Sequence, residues 1–487
     1  MKVVAIDQGT TSTKALLVTP DGEATSLGAI RHEQHYPRNG WLEHSAKELL
    51  DNIRGLLDAG AAAGATVMAL ANQGETVVAW NRCTGEPLAP AIVWQDQRTE
   101  PAITALRDAG READVQSLSG LPLDSYFSGT KLKWLLDHVE GARELARQGH
   151  LGLGTSDSYF IERLTGRYAT DVTTASRTSL MNLDTCQWDS RLCDIFGVPE
   201  EILPEIALDA EPFGTVATPH GPVTLIASVV DQIAALYGHG CRAPGEGKIT
   251  VGTGAFALVL TGNERPAGLR GGSVPTAAWQ AGRARAYAAD GAVYTAAAAV
   301  DWLVRIGLLG DISELADLSG PSAASRGVYF VPALSGLACP HWDRSAAGLF
   351  IGMDSATDRQ DLVKAVLEGI AFRIAEVVDT IGFSTSAQSA ISLDGGLTRS
   401  NYFLQFLSDI CRRTLSSCGE AEVTALGVGW LALANANGRD AAAYLPPTKI
   451  ERADTFPSAS AGDVEEIRAR FSDALRRSTG WRKTEER

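Results

Sequence analysis

Apolar and polar residues alternate in short blocks along this chain, and two of the blocks are nearly copies of one another. Val3-Val-Ala-Ile6 and Ala15-Leu-Leu-Val18 flank Asp7-Gln-Gly-Thr-Thr-Ser-Thr-Lys14. About half a chain later, Lys248-Ile-Thr-Val251 and Ala255-Phe-Ala-Leu-Val-Leu260 flank Gly252-Thr-Gly254. Each unit predicts a strand, a tight Gly/Thr turn and a second apolar strand, which is a hairpin pattern. Glycine lets the backbone come close to a ligand, and Thr and Ser hydroxyls join the N–H groups of the turn. Such turns suit phosphate oxygens. One hairpin of this kind at the start of each half predicts a duplicated fold with a phosphate held between the copies.

The remaining pattern fills in both halves. A helix is expected over residues 45–59, with Ser45 as N-cap and Glu48 as its capping-box partner. Strands over 67–72 and 76–80 flank the loop Gln73-Gly74-Glu75, and a further strand covers 91–94. Helices dominate residues 99–164, notably 130–137. A strand over 223–228 then leads into Asp231-Gln232 and a short apolar helix. The Gly- and Pro-rich stretch 238–247 reads as a linker, so the domains are set at 1–240 and 241–487. The second half is expected to show a strand over 285–288, an Asp290-Gly291 turn and a long Ala-rich helix. A strand over 328–332 and a helix over 361–381 come next. A strand over 391–393 ends in Asp394-Gly-Gly396, and an amphipathic helix starts near Asn401. A charged helix over 463–477 leaves 479–487 as a frayed tail. Strands followed by helices, twice over, give an α/β protein of two similar domains with a binding cleft between them.

Composition narrows the ligands. With 487 residues, 45% hydrophobic and 21% charged, the chain has the make-up of an ordinary soluble two-domain protein. Its net charge of −15 argues against a nucleic-acid or membrane-surface binder. An anionic ligand must then be held by local donors and a metal. The seven cysteines form no CxxC pair, as expected of free thiols in a cytosolic protein. His32-Glu-Gln-His35 has a ligand-like spacing but no further Cys or His nearby. Residues 291–310 are apolar yet contain Asp301 and Arg305, which fits a buried helix better than a membrane span. The first strand begins at residue 2, so no signal peptide is expected and the location implied is cytoplasmic.

Three constellations carry chemistry. Asp7 closes the first strand and faces the turn; a carboxylate there makes sense if a hydrated Mg²⁺ separates it from phosphate. An ordinary turn-capping Asp is the alternative. Asp231 stands where a strand hands over to a helix, as an N-cap or as a general base for a hydroxyl that attacks phosphorus. Asp394-Gly395-Gly396 lets a flat nucleoside or a phosphate lie against the backbone, and Asn401 either caps the next helix or contacts the ligand. Neither a GxxxxGK[ST] loop nor a strand-associated GxGxxG is present, so a nucleotide would be bound in another way.

Longer motifs then point to a family. Tyr126-Phe-Ser-Gly-Thr-Lys131-Leu-Lys-Trp134-Leu-Leu-Asp137-His138 and Gly348-Leu-Phe-Ile-Gly352-Met353, the latter followed by Asp361-Leu-Val-Lys-Ala365-Val-Leu-Glu368, are similar to two long signatures of the FGGY carbohydrate kinases. Asp7 to Ser12, Gly40-Trp-Leu-Glu-His44, Ile92-Val-Trp-Gln95, Ser335-Gly-Leu337, Pro340-His-Trp-Asp343 and Asp394-Gly-Gly396 extend the likeness. It runs from residue 2 to roughly 435, and the chain most closely resembles the glycerol kinases. The resemblance implies two duplicated ribonuclease H-like (actin-like ATPase) domains, with ATP and Mg²⁺ in the cleft and Asp231 as catalytic base. It implies Asp7 on Mg²⁺ through water and Thr10, Thr11 and Ser12 at the γ-phosphate. Lys14 stands where glycerol kinases usually carry Arg, which keeps the charge and loses the bidentate fork. Thr253 and Gly254 would hold the other phosphates, while Gly395, Gly396 and Asn401 line the nucleotide. Ala297 stands where a Gly is usual.

By the same resemblance, Gly74, Glu75, Trp94, Tyr126, Asp231, Gln232 and Phe256 form the substrate pocket. Here the pattern breaks, because Gln73-Gly74-Glu75-Thr76 replaces a Gln-Arg-Glu-Thr whose Arg grips polyol hydroxyls. Gly74 leaves room for a longer substrate, unless another side chain such as Arg98 reaches in. The implied activity is ATP-dependent phosphorylation of a terminal hydroxyl of a small polyol or sugar. A longer polyol or ketose is the alternative acceptor, and a non-catalytic ATP-binding actin-like protein is the alternative class. Neither nucleic acid nor membrane is an expected partner; a homodimer or homotetramer is compatible.

Overall fold

The computed structural model describes all residues except 208–210, 267–271, 282–283, 384–389, 420–421, 442, 445–449 and 483–487. Two large mixed sheets organise it. In the first, Lys2–Gln8 pairs antiparallel with Ser12–Val18, which pairs antiparallel with Ala24–Arg31. On its other side Lys2–Gln8 runs parallel to Ala65–Asn72, which runs parallel to Gly221–Val230. Gly214–Thr218 closes that edge. In the second sheet, Gly247–Val251 pairs antiparallel with Ala255–Gly262, and that strand pairs antiparallel with Ala284–Val293. Gly247–Val251 also runs parallel to Ile391–Asp394, which runs parallel to Leu415–Cys418. The five central strands therefore share one order and one set of directions in both sheets. The duplication read from the hairpins is a duplication of topology.

Local sequence explains the main helices. Ser45 accepts from the Glu48 N–H at 3.3 Å, the first of the two bonds a capping box makes, and the helix runs Ala46–Ala62. Its buried stripe of Leu49, Leu50, Ile53, Leu56 and Leu57 lies on the first sheet. The helix Arg359–Ile381 has a complete capping box between Asp358 and Asp361 and packs under the second sheet. Helix Val423–Ala436 crosses back to pack on Lys2–Gln8, on Ala65–Asn72 and on the helix Asp231–Gly238. One buried cluster consequently joins Val3, Val67 and Ala227 of the first sheet to Leu258 and Ala288 of the second, through Val428 and Leu431.

Three expectations are corrected. Asp290 and Gly291 do not form a turn; both lie inside the strand Ala284–Val293. An added Cβ at Gly291 would strike Val377 of the helix Arg359–Ile381, so glycine is there for close packing rather than for a turn. The Ala-rich helix is correspondingly short, Ala297–Arg305. The described part of the tail is docked rather than frayed, since Gly480 N–H donates to Asp343 Oδ2 (3.0 Å) and Arg482 N–H to the Ser345 carbonyl (2.8 Å). Residues 483–487 of that tail lie outside the described residues. Among the described residues no helix is long and apolar enough to cross a membrane.

Candidate active site

The ends of parallel strands bring the predicted residues together. Gln8 is in register with Asn72, and Asn72 with Val230. The first hairpin turn, the loop Gln73–Thr76 and Asp231 therefore leave the first sheet at one edge. In the second sheet Thr250 is in register with Asp394, which sets the second turn beside Asp394-Gly395-Gly396. Ligands of α/β sheets sit at such carboxyl edges.

Both turns are held rigidly. In the first, Gly9 N–H donates to the Ser12 carbonyl (3.0 Å), and the Thr10 carbonyl bonds to His32 Nε2 (2.8 Å) and Gln34 Nε2 (3.0 Å). The Trp94 indole N–H donates to Thr10 Oγ1 at 3.0 Å, tying this turn to the substrate pocket. Lys14 pairs with Glu422 Oε1 (3.0 Å) just ahead of the helix Val423–Ala436. In the second turn, the Thr253 carbonyl accepts from Ala296 N–H and Ala298 N–H (2.9 and 3.1 Å), and Ala297 N–H donates to the Gly252 carbonyl (3.0 Å). Ala297 thus braces the turn with its backbone. Gly395 has φ +106° and sits so close to the Val251 backbone that a Cβ would collide, whereas Gly396 faces open space. Ser400 caps the helix Asn401–Cys411, which leaves the Asn401 side chain exposed at its first position.

One cleft is lined by Thr10, Gly74, Glu75, Trp94, Tyr126, Asp231, Gln232, Thr253, Gly254 and Phe256, so both turns and every proposed substrate residue meet there. Trp94 stands edge-on to Tyr126 (5.6 Å, 88°) and to Phe256 (5.7 Å, 75°). Lys131, buried in the first signature, fixes two of these rings from behind: its Nζ donates to the carbonyls of Tyr126 (2.7 Å) and Trp94 (3.3 Å). Glu75 adopts φ +57°, a left-handed conformation that a non-glycine residue holds only when its surroundings fix it. Ser128 Oγ does so by donating to its carbonyl at 3.1 Å.

Asp231 is not an N-cap. Val230 occupies that position, and Asp231 Oδ1 accepts from its neighbour's Gln232 N–H (2.6 Å). Burial pushes the Asp231 carboxyl up to about 6, against the pull of Lys248 and with a further push from Glu75. Lys248 is fully buried and donates to Gln232 Oε1 and to Thr250 Oγ1 (2.8 Å). At Asp7, burial, then Asp231, then Glu422 and Asp394 drive the carboxyl up to about 8 against Lys14. Its Oδ1 is buried with no hydrogen-bond partner. That surplus of carboxylate fits a cation nearby. Among the described residues no three ligating side chains converge, so the fit is to a hydrated ion met through water.

The cleft also holds residues that the sequence did not flag. Arg177 Nε donates to Glu75 Oε1 at 2.6 Å, and its Nη1 lies 2.8 Å from Asp290 Oδ2; both Arg177 and Asp290 line the cleft. Arg98 does not reach in. It is clamped by Asp96 and Glu43 (both 2.8 Å) over the Trp41 ring. The one available signal for Arg177 was a lone Arg in the Ala-, Ser- and Thr-rich run Thr173–Ser179, and for Asp290 a carboxylate beside a glycine.

Comparison with known proteins agrees with this geometry. The model of the FGGY carbohydrate kinase N-terminal domain matches residues 2–238, and that of the C-terminal domain matches residues 247–436. The glycerol kinase of Thermus brockianus is 40% identical over 494 residues, covering 98% of this chain and 99% of that one. A Plasmodium falciparum glycerol kinase crystallised with ADP superposes with a TM-score of 0.87 at 31% identity, covering 98% of both chains. A xylulose kinase from Lactobacillus acidophilus, 21% identical with a TM-score of 0.83 over 98% of this chain and 97% of that one, shares the fold. The chain belongs to the FGGY family of carbohydrate kinases and is a phosphotransferase with an alcohol group as acceptor.

Proposed function

We propose that this protein transfers the γ-phosphoryl group of ATP to a terminal hydroxyl of a small polyol, with Asp231 as the general base. The observation that carries the reading is the position of Asp231. It is a carboxylate poised near 6, at the end of a parallel strand, in a cleft shared by two phosphate-type turns and a wall of aromatic rings. The acceptor O–H gives its proton to Asp231 as its oxygen bonds to the γ-phosphorus and the bond to the ADP oxygen breaks. N–H groups and hydroxyls of residues 10–12 and 253–254 face the charge spread over the transferred group. Trp94, Tyr126 and Phe256 cover the carbon skeleton and keep water from competing as nucleophile. Mg²⁺, met by Asp7 through water, would neutralise phosphate charge. Lys14, Gly395, Gly396, Asn401 and Ala297 complete the nucleotide side of this reading.

The test is ADP release from purified protein with ATP, Mg²⁺ and a panel of small polyols. Asp231→Asn should lower turnover by roughly 10²- to 10⁴-fold while ATP still binds in equilibrium dialysis. Turnover within tenfold of wild type would remove Asp231 from the role of base.

A further inference from the structure

The pair formed by Arg177 and Asp290 has polar capacity that the protein itself does not use. Both side chains are almost fully buried, at 5% and 7% exposure, and both line the cleft beside Glu75. Arg177 Nη1 lies 2.8 Å from Asp290 Oδ2 as an ion pair with no hydrogen-bond partner in line, and Asp290 Oδ1 is buried without a well-aligned donor. A buried ion pair whose Nη1 and Oδ1 lack aligned partners gains when a ligand supplies them. A hydroxyl is the group that fits, because it donates to one and accepts from the other.

The adjoining wall is bare. Gly74 lines the same cleft, and its backbone does not need glycine: it has no positive φ, and an added Cβ would meet only Val230, at an ordinary 3.4 and 3.7 Å from Cγ1 and Cγ2. The vacancy is therefore space rather than conformational need. Glu75, whose charge acts on Asp231, is bonded to Arg177, and Arg177 pairs with Asp290, so polar groups line the cleft around the reacting position.

We infer that Arg177 and Asp290 form a specificity-determining subsite for a distal hydroxyl, so that the acceptor is a neutral alditol of four or five carbons rather than glycerol. The inference rests on the proposed kinase reading. On this reading the reacting hydroxyl lies at Asp231, a second at Glu75 and a further one at the Arg177–Asp290 pair, with Gly74 leaving room for the added carbons. The carboxylates of Glu75, Asp231 and Asp290 line the cleft with the single guanidinium of Arg177, which also disfavours an anionic sugar acid, whose charge would meet like charge.

The experiment measures kcat/KM by ADP release with glycerol, erythritol, threitol, ribitol, xylitol, arabinitol and gluconate. At least one four- or five-carbon alditol should exceed glycerol by roughly tenfold or more, with gluconate inactive. Asp290→Asn should lower the ratio of that alditol to glycerol by roughly 10- to 100-fold, mainly through KM. Gly74→Ala should lower the same ratio, and it reads the subsite on its own if Asp290→Asn does not fold. Glycerol as the best acceptor overturns the inference, as does an alditol-to-glycerol ratio unmoved by both substitutions. Activity with no polyol at all, despite ATP binding, overturns the kinase reading and the subsite with it. Glycerol preference overturns the subsite alone.

Discussion

A carboxylate in water, ionised above about pH 4, is a weak base for a hydroxyl proton; burial is what changes this at Asp231. Removal from water raises its carboxyl to about 6, Lys248 limits the rise, and Glu75 adds to it. The base works only when deprotonated, so kcat/KM should be flat above about pH 7 and fall roughly tenfold per unit below about 6. A profile without an acid limb between pH 5 and 8 would contradict this environment. Asp7 and Asp231 were legible because a strand end followed by a turn or helix start is visible in sequence. Arg177 was not, because the carboxylate it serves is 102 residues away. Arg98 looked eligible by its place after a strand, but Asp96, two residues before it, holds it elsewhere.

Elements hold these residues in place, and behind the base two helices cross with their backbones in close contact. Asp231–Gly238 carries the base, and Val423–Ala436 lies against it with glycines at the crossing. A Cβ at Gly427 would run into the Ala234 carbonyl, and one at Gly238 into the Val423 carbonyl. Backbone has no rotamer by which to yield. Gly427→Ala should therefore destabilise by about 1–3 kcal/mol in urea unfolding and also lower kcat, because the helix displaced is the one that begins with Asp231. Loss of neither stability nor kcat would mean that the crossing has slack. The hairpins, most strands and the helix capped by Ser45 were readable from period and caps, but the parallel pairing of the strands was not. The Asp290–Gly291 segment was not, since a glycine that admits a helix looks in sequence like a glycine that makes a turn.

At the scale of the molecule, the chain passes from the first sheet to the second through residues 239–246, yet the core does not divide there. Val3, Val67 and Ala227 share one buried cluster with Leu258, Ala288, Val428 and Leu431 because Val423–Ala436 returns to the first sheet. No local pattern encodes that return; an apolar helix reads the same whichever sheet it covers. Buried ion pairs cross the same divide, Asp124 with Arg344 (2.6 and 3.1 Å) and Arg177 with Asp290. A shared core couples the unfolding of both sheets, so calorimetry should give one endotherm with calorimetric and van't Hoff enthalpies in agreement. Asp124→Asn takes two charge-assisted hydrogen bonds from the buried Arg344 guanidinium, which should destabilise by about 1–3 kcal/mol. With one cooperative core, that loss moves the whole endotherm to lower temperature. Two resolved transitions, or a shift confined to part of the signal, would mean that the sheets unfold separately and that the returning helix does not bind them into one unit.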